Sequence, residues 1–179
     1  MKNKTDIELY KLTKTGDNAA FEELFRRYHQ KGFNIAFRLL ASPEAAEDTV
    51  METFVRLYEA DYNIKVDFPA YFYRAVINQS YNHIRSKNKE NRLFGEAAFS
   101  QKDDPMNVTL EKLKEQQAEK ALLSLPERQR AAFVLIAYEG LSYKDAANVM
   151  KISVKAFEAL ISRARENLKK VFKDMDVVK

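Results

Sequence analysis

The sequence contains no cysteine and only two histidines, His29 and His83. Without thiols the chain cannot form disulfides or the usual zinc sites, and the two histidines lie far apart with no matching pattern of ligands. We therefore expect no metal ion and no other cofactor.

Glycine and proline are scarce, with four residues each among 179. Strong helix formers recur throughout, and the frequent turns that an all-β protein needs are missing. The hydrophobic share of 46% is sufficient for packed cores. We expect an all-α fold of two small helical domains.

Long apolar runs are also missing. The N-terminal stretch MKNKTDIELYKLTKTGD has no apolar centre of the signal-peptide type, and no run of about 18 apolar residues could cross a bilayer. We expect a cytoplasmic protein without membrane insertion.

Four common catalytic patterns do not occur: GxxxxGK[ST], GxGxxG, HExxH and GxSxG. The acidic residues are spread along predicted helix surfaces and are not paired around a pocket. We expect that the chain is not an enzyme. The net charge of +4 is compatible with a nucleic-acid partner but is too modest to indicate one by itself.

The N-terminal part reads as a series of helices. Apolar spacing after a cap at Asp17 predicts two helices, or one helix bent near Gly32. The triplet Ser42-Pro43-Glu44 predicts a helix to about Ala60, because it combines an N-cap, a proline at N1 and a first-turn acid. A loop over 61–67 and a further helix with a basic end, HIRSKNKENR, should follow.

Periodicity is lost over Gly95–Asn107, where GEAAFSQKDDPMN collects Gly, Ser, Asp and Pro. This composition is typical of a flexible linker. We therefore predict an N-terminal domain over 1–94, a linker over 95–107 and a C-terminal domain over 108–179.

The C-terminal part has the pattern of a helix-turn-helix. Gly140 is placed to end one helix, Ser142 to cap a short helix, and Ser153 to cap a long last helix. Small and apolar residues then occupy the packing positions: Ala146, Ala147, Val149, Ile152, Val154, Phe157 and Ile161. The same pattern is typical of a plain helical hairpin, so spacing alone leaves DNA binding open.

Longer segments resemble a known family. The segment LPERQRAAFVLIAYEGLSYKDAANVMKISVKAFEALISRARENL is similar to region 4 of the extracytoplasmic-function (ECF) sigma factors of bacterial RNA polymerase. AFEELFRRY, SPEAAEDTVMETFVRLYEA and FPAYFYRAVINQSYNHIRSK are similar to region 2 of that family. The resemblance covers about Asp17 to Lys170 in the expected order.

The resemblance implies a factor that binds core RNA polymerase, at the β′ coiled coil and the β flap, and brings it to promoter DNA. The helix from Glu47 to Glu59 would dock on the coiled coil. Its candidate contact residues are Asp48, Glu52, Phe54, Arg56 and Leu57. The alternative is that Phe54 and Leu57 belong to the core and that the charges are merely solvated.

The resemblance also assigns the DNA contacts. Residues for the minus-10 element are expected at Tyr62, Asn63, Lys65, Tyr71, Arg74, Asn78, Asn82, Arg85 and Lys87. Tyrosines can stack on bases and cations can hold phosphates, although Tyr71 or Tyr73 must face the core. Residues for the minus-35 element are expected at Ser153, Lys155, Glu158, Ser162, Arg163 and Arg165.

The recognition helix departs from the family. Where relatives often have Gly-Thr-Val-Lys-Ser-Arg, this chain has Lys-Ala-Phe-Glu-Ala-Leu. A lysine position of the family is therefore occupied by Glu158, and an arginine position by Leu160. The change raises a second hypothesis, a sigma-like decoy that binds an anti-sigma factor without reading DNA. An anti-sigma factor is an expected partner on either hypothesis.

Overall fold

The computed structural model describes residues 1, 3–59, 67–94 and 110–177, with the backbone alone at 91–94, 110–113 and 174–177. These residues form eight α-helices and no strand, as the all-α prediction requires. The helices are α1 Asp6–Lys14, α2 Asn18–Leu40, α3 Pro43–Glu59, α4 Phe68–Phe94, α5 Leu110–Ser124, α6 Glu127–Ala137, α7 Tyr143–Met150 and α8 Val154–Val177. The linker predicted over 95–107 lies outside the described residues.

Helix α1 was not among the predicted elements. It begins with a capping box, in which the backbone N–H of Thr5 donates to Glu8 (2.7 Å) and that of Glu8 donates to Thr5 Oγ1 (3.3 Å). Asp6 then accepts hydrogen bonds from Arg27 (2.9 Å) and the Tyr28 hydroxyl (2.5 Å). These bonds attach α1 to α2.

Helix α2 runs unbroken through Gly32, which decides between the two predicted alternatives. Asp17 caps its start by accepting from the Ala20 N–H at 3.0 Å. Side chains of α3 and α4 lie against Gly32, because a Cβ there would be 2.9 Å from Cζ of Phe72 and 3.2 Å from Cγ2 of Val50. The glycine therefore serves helix packing and does not bend the chain.

Helices α1 to α4 enclose one part of the core, and α6 to α8 enclose another. Fully buried side chains of the first include Leu9, Ile35, Val50, Phe72 and Val76. Those of the second are Val134, Leu135, Val149, Phe157 and Ile161.

The two sets of helices also pack against each other, with α4 beside α7 and α2 beside α5 and α6. The Arg130 guanidinium on α6 donates to the carbonyl of Leu39 near the end of α2 (2.7 Å), and to those of Leu123 (2.5 Å) and Leu125 (3.1 Å). A helix leaves its last carbonyls without intrahelical partners, so one arginine satisfies acceptors at the ends of α2 and α5.

Candidate partner and nucleic-acid interfaces

Helix α3 has two apolar faces that are offset by one residue. Val50, Phe54 and Leu57 are buried, with Phe54 packed against the rings of Phe25 and Phe72. The structure therefore corrects the prediction that Phe54 and Leu57 belong to a docking surface. These side chains support the helix from inside.

The second face of α3 is a stripe of exposed apolar side chains. Met51 is 44% exposed, Val55 48% and Tyr58 46%. Their spacing of four and three residues places them on one side of the helix. Exposed apolar residues that stand together mark surfaces for partners, whereas isolated ones are common. We call Met51, Val55 and Tyr58 the α3 stripe.

The three charged residues predicted on this helix are exposed beside the α3 stripe. Arg56 pairs with Glu52 at 2.7 Å, and the other carboxylate oxygen of Glu52 accepts from the Gln79 side chain. Asp48 is exposed one turn earlier. An apolar stripe with charges along its edge is the arrangement by which a helix face docks on another helix.

Helix α4 brings most of the predicted minus-10 residues to one side. Tyr71, Arg74, Asn78 and Arg85 follow helical spacing, and Asn82 lies at the edge of the same side. Tyr71 packs partly against the core, whereas Asn78, Asn82 and Arg85 are exposed. Of the two tyrosines considered for the core, Tyr73 is the more buried, with 6% exposure.

Lys87 does not share this side. It comes two residues after Arg85, which is roughly 200° around the helix, so the prediction that both serve one strand is not supported by their placement. Tyr62, Asn63 and Lys65, the other predicted minus-10 residues, lie outside the described residues.

Helices α7 and α8 form the predicted helix-turn-helix. Ser142 caps α7 by accepting from the Asp145 N–H (3.1 Å), and Ser153 caps α8 by accepting from the Ala156 N–H (3.1 Å). Between them Lys151 adopts a left-handed conformation with φ of 51°. Phe157 is fully buried and contacts the ring of Tyr143, which holds α8 across α7.

One packing prediction for α8 is wrong. Val154 was expected to pack inside, but it is the first residue of the helix and is 41% exposed. Leu160 packs partly against the core. Leucine at 160 is therefore explained by helix packing as well as by a loss of DNA contact.

All six predicted minus-35 residues are exposed on α8: Ser153, Lys155, Glu158, Ser162, Arg163 and Arg165. Lys155 and Ser162 lie roughly opposite the buried Phe157 and Ile161. The side of α8 that could enter a groove of DNA therefore carries one cation, one hydroxyl and the carboxylate of Glu158, with arginines on both flanks.

Neither a metal site nor a membrane span is found in the described part of the chain. No three histidine, aspartate or glutamate side chains among these residues come close enough to hold a metal ion. None of the described helices has the length and apolar character that crossing a bilayer requires.

Two family models match, in the order that the sequence predicts. Sigma-70 region 2 matches residues 24–90, which include α3 and most of α4, and sigma-70 region 4 matches residues 115–168, which include the helix-turn-helix. The exposed faces of α3 and α4 therefore lie within the region 2 match, and the exposed side of α8 lies within the region 4 match.

Full-length relatives are similar over nearly the whole chain. The RNA polymerase sigma-H factor of Pseudomonas aeruginosa is 30% identical and the alignment covers 95% of both chains. The ECF RNA polymerase sigma factor SigW of Bacillus subtilis is 28% identical over 92% of this chain and 95% of its own.

Solved structures agree with these relatives. CnrH, in complex with the cytosolic domain of CnrY, has a TM-score of 0.70 at 27% identity, over 94% of this chain and 97% of its own. The sigma factor RpoE of Bartonella quintana, in complex with the anti-sigma factor NepR, has a TM-score of 0.69 at 25% identity, over 86% and 96%. On these matches of sequence and fold, the chain belongs to the ECF sigma factors of the sigma-70 family.

Proposed function

We propose that this chain binds core RNA polymerase, directs it to promoters and starts transcription there. The observation that carries the proposal is the α3 stripe, an exposed apolar surface within the segment that matches sigma-70 region 2. In this proposal Met51, Val55 and Tyr58 supply the apolar contact with the β′ coiled coil, and Asp48, Glu52 and Arg56 supply the charged edge. The C-terminal helices contact the β flap.

Promoter contacts are assigned to two helices. Helix α4 binds the melted minus-10 strand through Arg74, Asn78, Asn82 and Arg85. The exposed side of α8 enters the major groove at the minus-35 element. Lys155 lies near the start of α8, close to base edges, whereas Arg163 lies two turns later and is better placed for phosphate. Glu158 can accept a hydrogen bond from the N4 amino group of cytosine.

The proposal keeps the division into domains that the sequence predicts. An N-terminal domain over 1–94 binds polymerase and the minus-10 element, and a C-terminal domain over 108–179 binds the minus-35 element. The segment 95–107 joins them. Both matched regions fall inside these limits.

Two further features complete the proposal. The chain works in the cytoplasm, where core polymerase is found, and has no catalytic activity of its own, because family members are initiation factors. An anti-sigma factor is its regulator. Two solved relatives support this role, since RpoE is in complex with the anti-sigma factor NepR and CnrH is in complex with the cytosolic domain of CnrY.

A second candidate function is that of a decoy, which keeps the partner surfaces but does not read promoters. The observation that favours it is Glu158, a carboxylate on the exposed side of α8. Relatives often have a basic side chain at this position. Near DNA phosphates this charge is unfavourable. The exposed Arg163 and Arg165 on the same helix favour the first candidate.

Core binding tests the proposal directly. The double variant Met51→Ala/Val55→Ala should reduce affinity for purified core polymerase by about tenfold or more, since truncating central apolar contacts commonly costs over 1 kcal/mol each. The matched control is Lys11→Ala/Asn34→Ala, because these two exposed positions on α1 and α2 are assigned to no partner. Unchanged affinity of the double variant, with an unchanged helical spectrum, would remove α3 from the proposal.

A further inference from the structure

A groove of about 350 Å³ lies between α4 on one side and the start of α6 and the end of α7 on the other. Small-molecule sites in proteins typically have volumes of roughly 300–1,000 Å³ and combine an apolar lining with a few polar groups. The groove has the volume of such a site, and its lining decides which class of ligand it suits.

The charge on the lining is mostly positive. Against a single carboxylate, that of Glu127, the groove is lined by four cations: Arg74, Arg85, Arg128 and Lys151. The Arg74 guanidinium is held by two backbone carbonyls of α7, at 2.8 and 2.6 Å. The other three cations are exposed and form no ion pair within the part of the chain that the structure describes. A groove of this kind attracts a ligand with several negative charges.

The groove also has an apolar wall. Ile77 and Val149 are buried side chains of α4 and α7, and Tyr81 and Met150 are partly buried beside them. The Tyr81 hydroxyl donates to the carbonyl of Glu127 at 2.9 Å, which ties Tyr81 to the start of α6. An aromatic ring can stack on a nucleobase, whereas the cations nearby can bind phosphate oxygens. The lining therefore matches a ligand that joins a planar ring to phosphate groups.

The backbone at Lys151 is a second, separate observation. Lys151 follows the last residue of α7 and has a left-handed φ of 51°. Its N–H donates to the carbonyl of Asn148 (3.2 Å), and the N–H of Ile152 donates to that of Ala147 (3.1 Å). Glycine is favoured at this position of such a helix end, because a Cβ is strained there. A residue that stays in a strained conformation indicates a role for its side chain, and here the side chain adds a charge to the groove.

We infer that this groove is a binding site for a nucleotide. Lys151, Arg128 and Arg85 hold its phosphate groups, and the nucleobase lies against the apolar wall beside Tyr81. The site needs residues from both α4 and the C-terminal helices, so neither part of the chain forms it alone. The inference does not rest on the proposed function, because neither polymerase nor promoter DNA takes part in it.

Calorimetric titration of the full chain tests the site. Adenosine triphosphate and guanosine triphosphate are each titrated, with inorganic triphosphate as the comparison that lacks a ring. At least one nucleotide should bind once per chain and about tenfold or more tighter than inorganic triphosphate. Lys151→Gly and Arg128→Ala should each weaken nucleotide binding by about tenfold, as expected for the loss of one charge-assisted hydrogen bond. Both variants spare every residue proposed to contact DNA.

Lys151→Gly also separates binding from folding. Because it relieves the strain of the left-handed backbone, it should raise the Tm by about 2–4 °C while it weakens nucleotide binding. Ala41→Gly is the matched control, since Ala41 has a similar φ of 52° after the end of α2 and does not line the groove. It should also raise the Tm, but it should leave nucleotide affinity unchanged. Lys144→Ala, at an exposed position of α7 outside the groove, controls for the loss of one positive charge.

Four results would overturn the nucleotide site. The first is the absence of saturable binding of either nucleotide up to about 1 mM. The second is an equal affinity for inorganic triphosphate, because the apolar wall would then contribute nothing. The third is a Lys151→Gly variant with unchanged nucleotide affinity. The fourth is a Lys144→Ala variant that weakens binding as much as Lys151→Gly, because the ligand would then respond to net charge alone.

Discussion

At the scale of single residues, Glu23 shows how local charge stabilises the N-terminal helices. Its side chain is only 8% exposed, and its carboxylate accepts from Arg26 (2.7 and 3.1 Å) and from Arg27 Nε (2.8 Å). These hydrogen bonds, that of Arg26 first, lower the pKa of Glu23 from 4.5 to about 2. Because Arg27 also binds Asp6 of α1, the carboxylate helps to hold α1 on α2.

A depressed pKa in the folded state makes stability depend on pH with a definite sign. The contribution of Glu23 is fully present above 4.5, the pKa of the unfolded chain, and is lost as pH falls toward about 2. Glu23→Gln should therefore lower the free energy of unfolding near neutral pH and converge with the unsubstituted protein in acid. Urea unfolding at a series of pH values from neutral to acid measures this difference in the free energy of unfolding. The control is Glu22→Gln, and a pH-independent deficit would contradict the assignment.

The exposed side of α8 gives a second prediction at the residue scale. Arg163→Ala should weaken binding about equally on matched and scrambled minus-35 duplexes and reduce the salt slope by about one, as expected for a phosphate contact. Lys155→Ala should reduce the preference for the matched duplex. Glu158→Lys should raise nonspecific affinity. Fluorescence anisotropy at several salt concentrations measures all three, and if none changes DNA binding, the decoy function is favoured.

At the scale of helices, the sequence predicted where elements begin better than which sides they bury. The caps at Asp17, Ser142 and Ser153 were predicted correctly, because a cap depends on neighbours three residues away. The Thr5 and Glu8 capping box carries the same signal for α1. That helix was not predicted, because the apolar content of the N-terminal stretch is low and its few apolar side chains are buried only against α2 and α4.

The choice of faces on α3 could not be made from spacing. Val50, Phe54 and Leu57 have helical spacing, and so do Met51, Val55 and Tyr58 one residue later. Which set is buried depends on where Phe25 and Phe72 lie, and these residues belong to other helices. The two apolar docking candidates, Phe54 and Leu57, were consequently chosen from the buried face, although the extent of the helix was predicted correctly.

Gly32 gives a prediction about helix packing. In an exposed helix, Gly→Ala stabilises by about 1 kcal/mol. Here the new methyl would meet the fully buried ring of Phe72, so Gly32→Ala should destabilise by about 1–3 kcal/mol. Thermal unfolding measures this loss of stability, and Asn34→Ala, at an exposed position of the same helix, is the control. Adding Phe72→Leu should relieve part of the loss, and a stabilised Gly32→Ala would show that the helices do not meet closely at this point.

At the scale of the whole molecule, the packing of α5, α6 and α7 on α2 and α4 was not predicted. Arg74 and Arg130 bind backbone carbonyls at the ends of helices far away in the sequence. A carbonyl is present at every residue, so no residue type identifies such an acceptor. Spacing correctly placed Arg74 on one side of α4 with Asn78 and Arg85, but it could not show that Arg74 binds carbonyls of α7.

The exposed surfaces of α3 and α4 and the family assignment fit one account of function. The α3 stripe is exposed, and so are Asn78, Asn82 and Arg85 on α4, whereas Arg74 donates to carbonyls of α7. On the proposed function, the carboxylate of Glu158 affects reading of the minus-35 element, whereas the α3 stripe for polymerase lies on a different helix.

Run-off transcription tests the central claim most directly. Purified core polymerase, with and without the full chain, is supplied with fragments of the source genome, and the 5′ ends of the transcripts are mapped. We predict a limited set of start sites that depend on the chain and share two upstream elements, and the set should shrink with Met51→Ala/Val55→Ala. Absence of any chain-dependent start site, under conditions where the chain binds core polymerase, would contradict the account and establish the decoy instead.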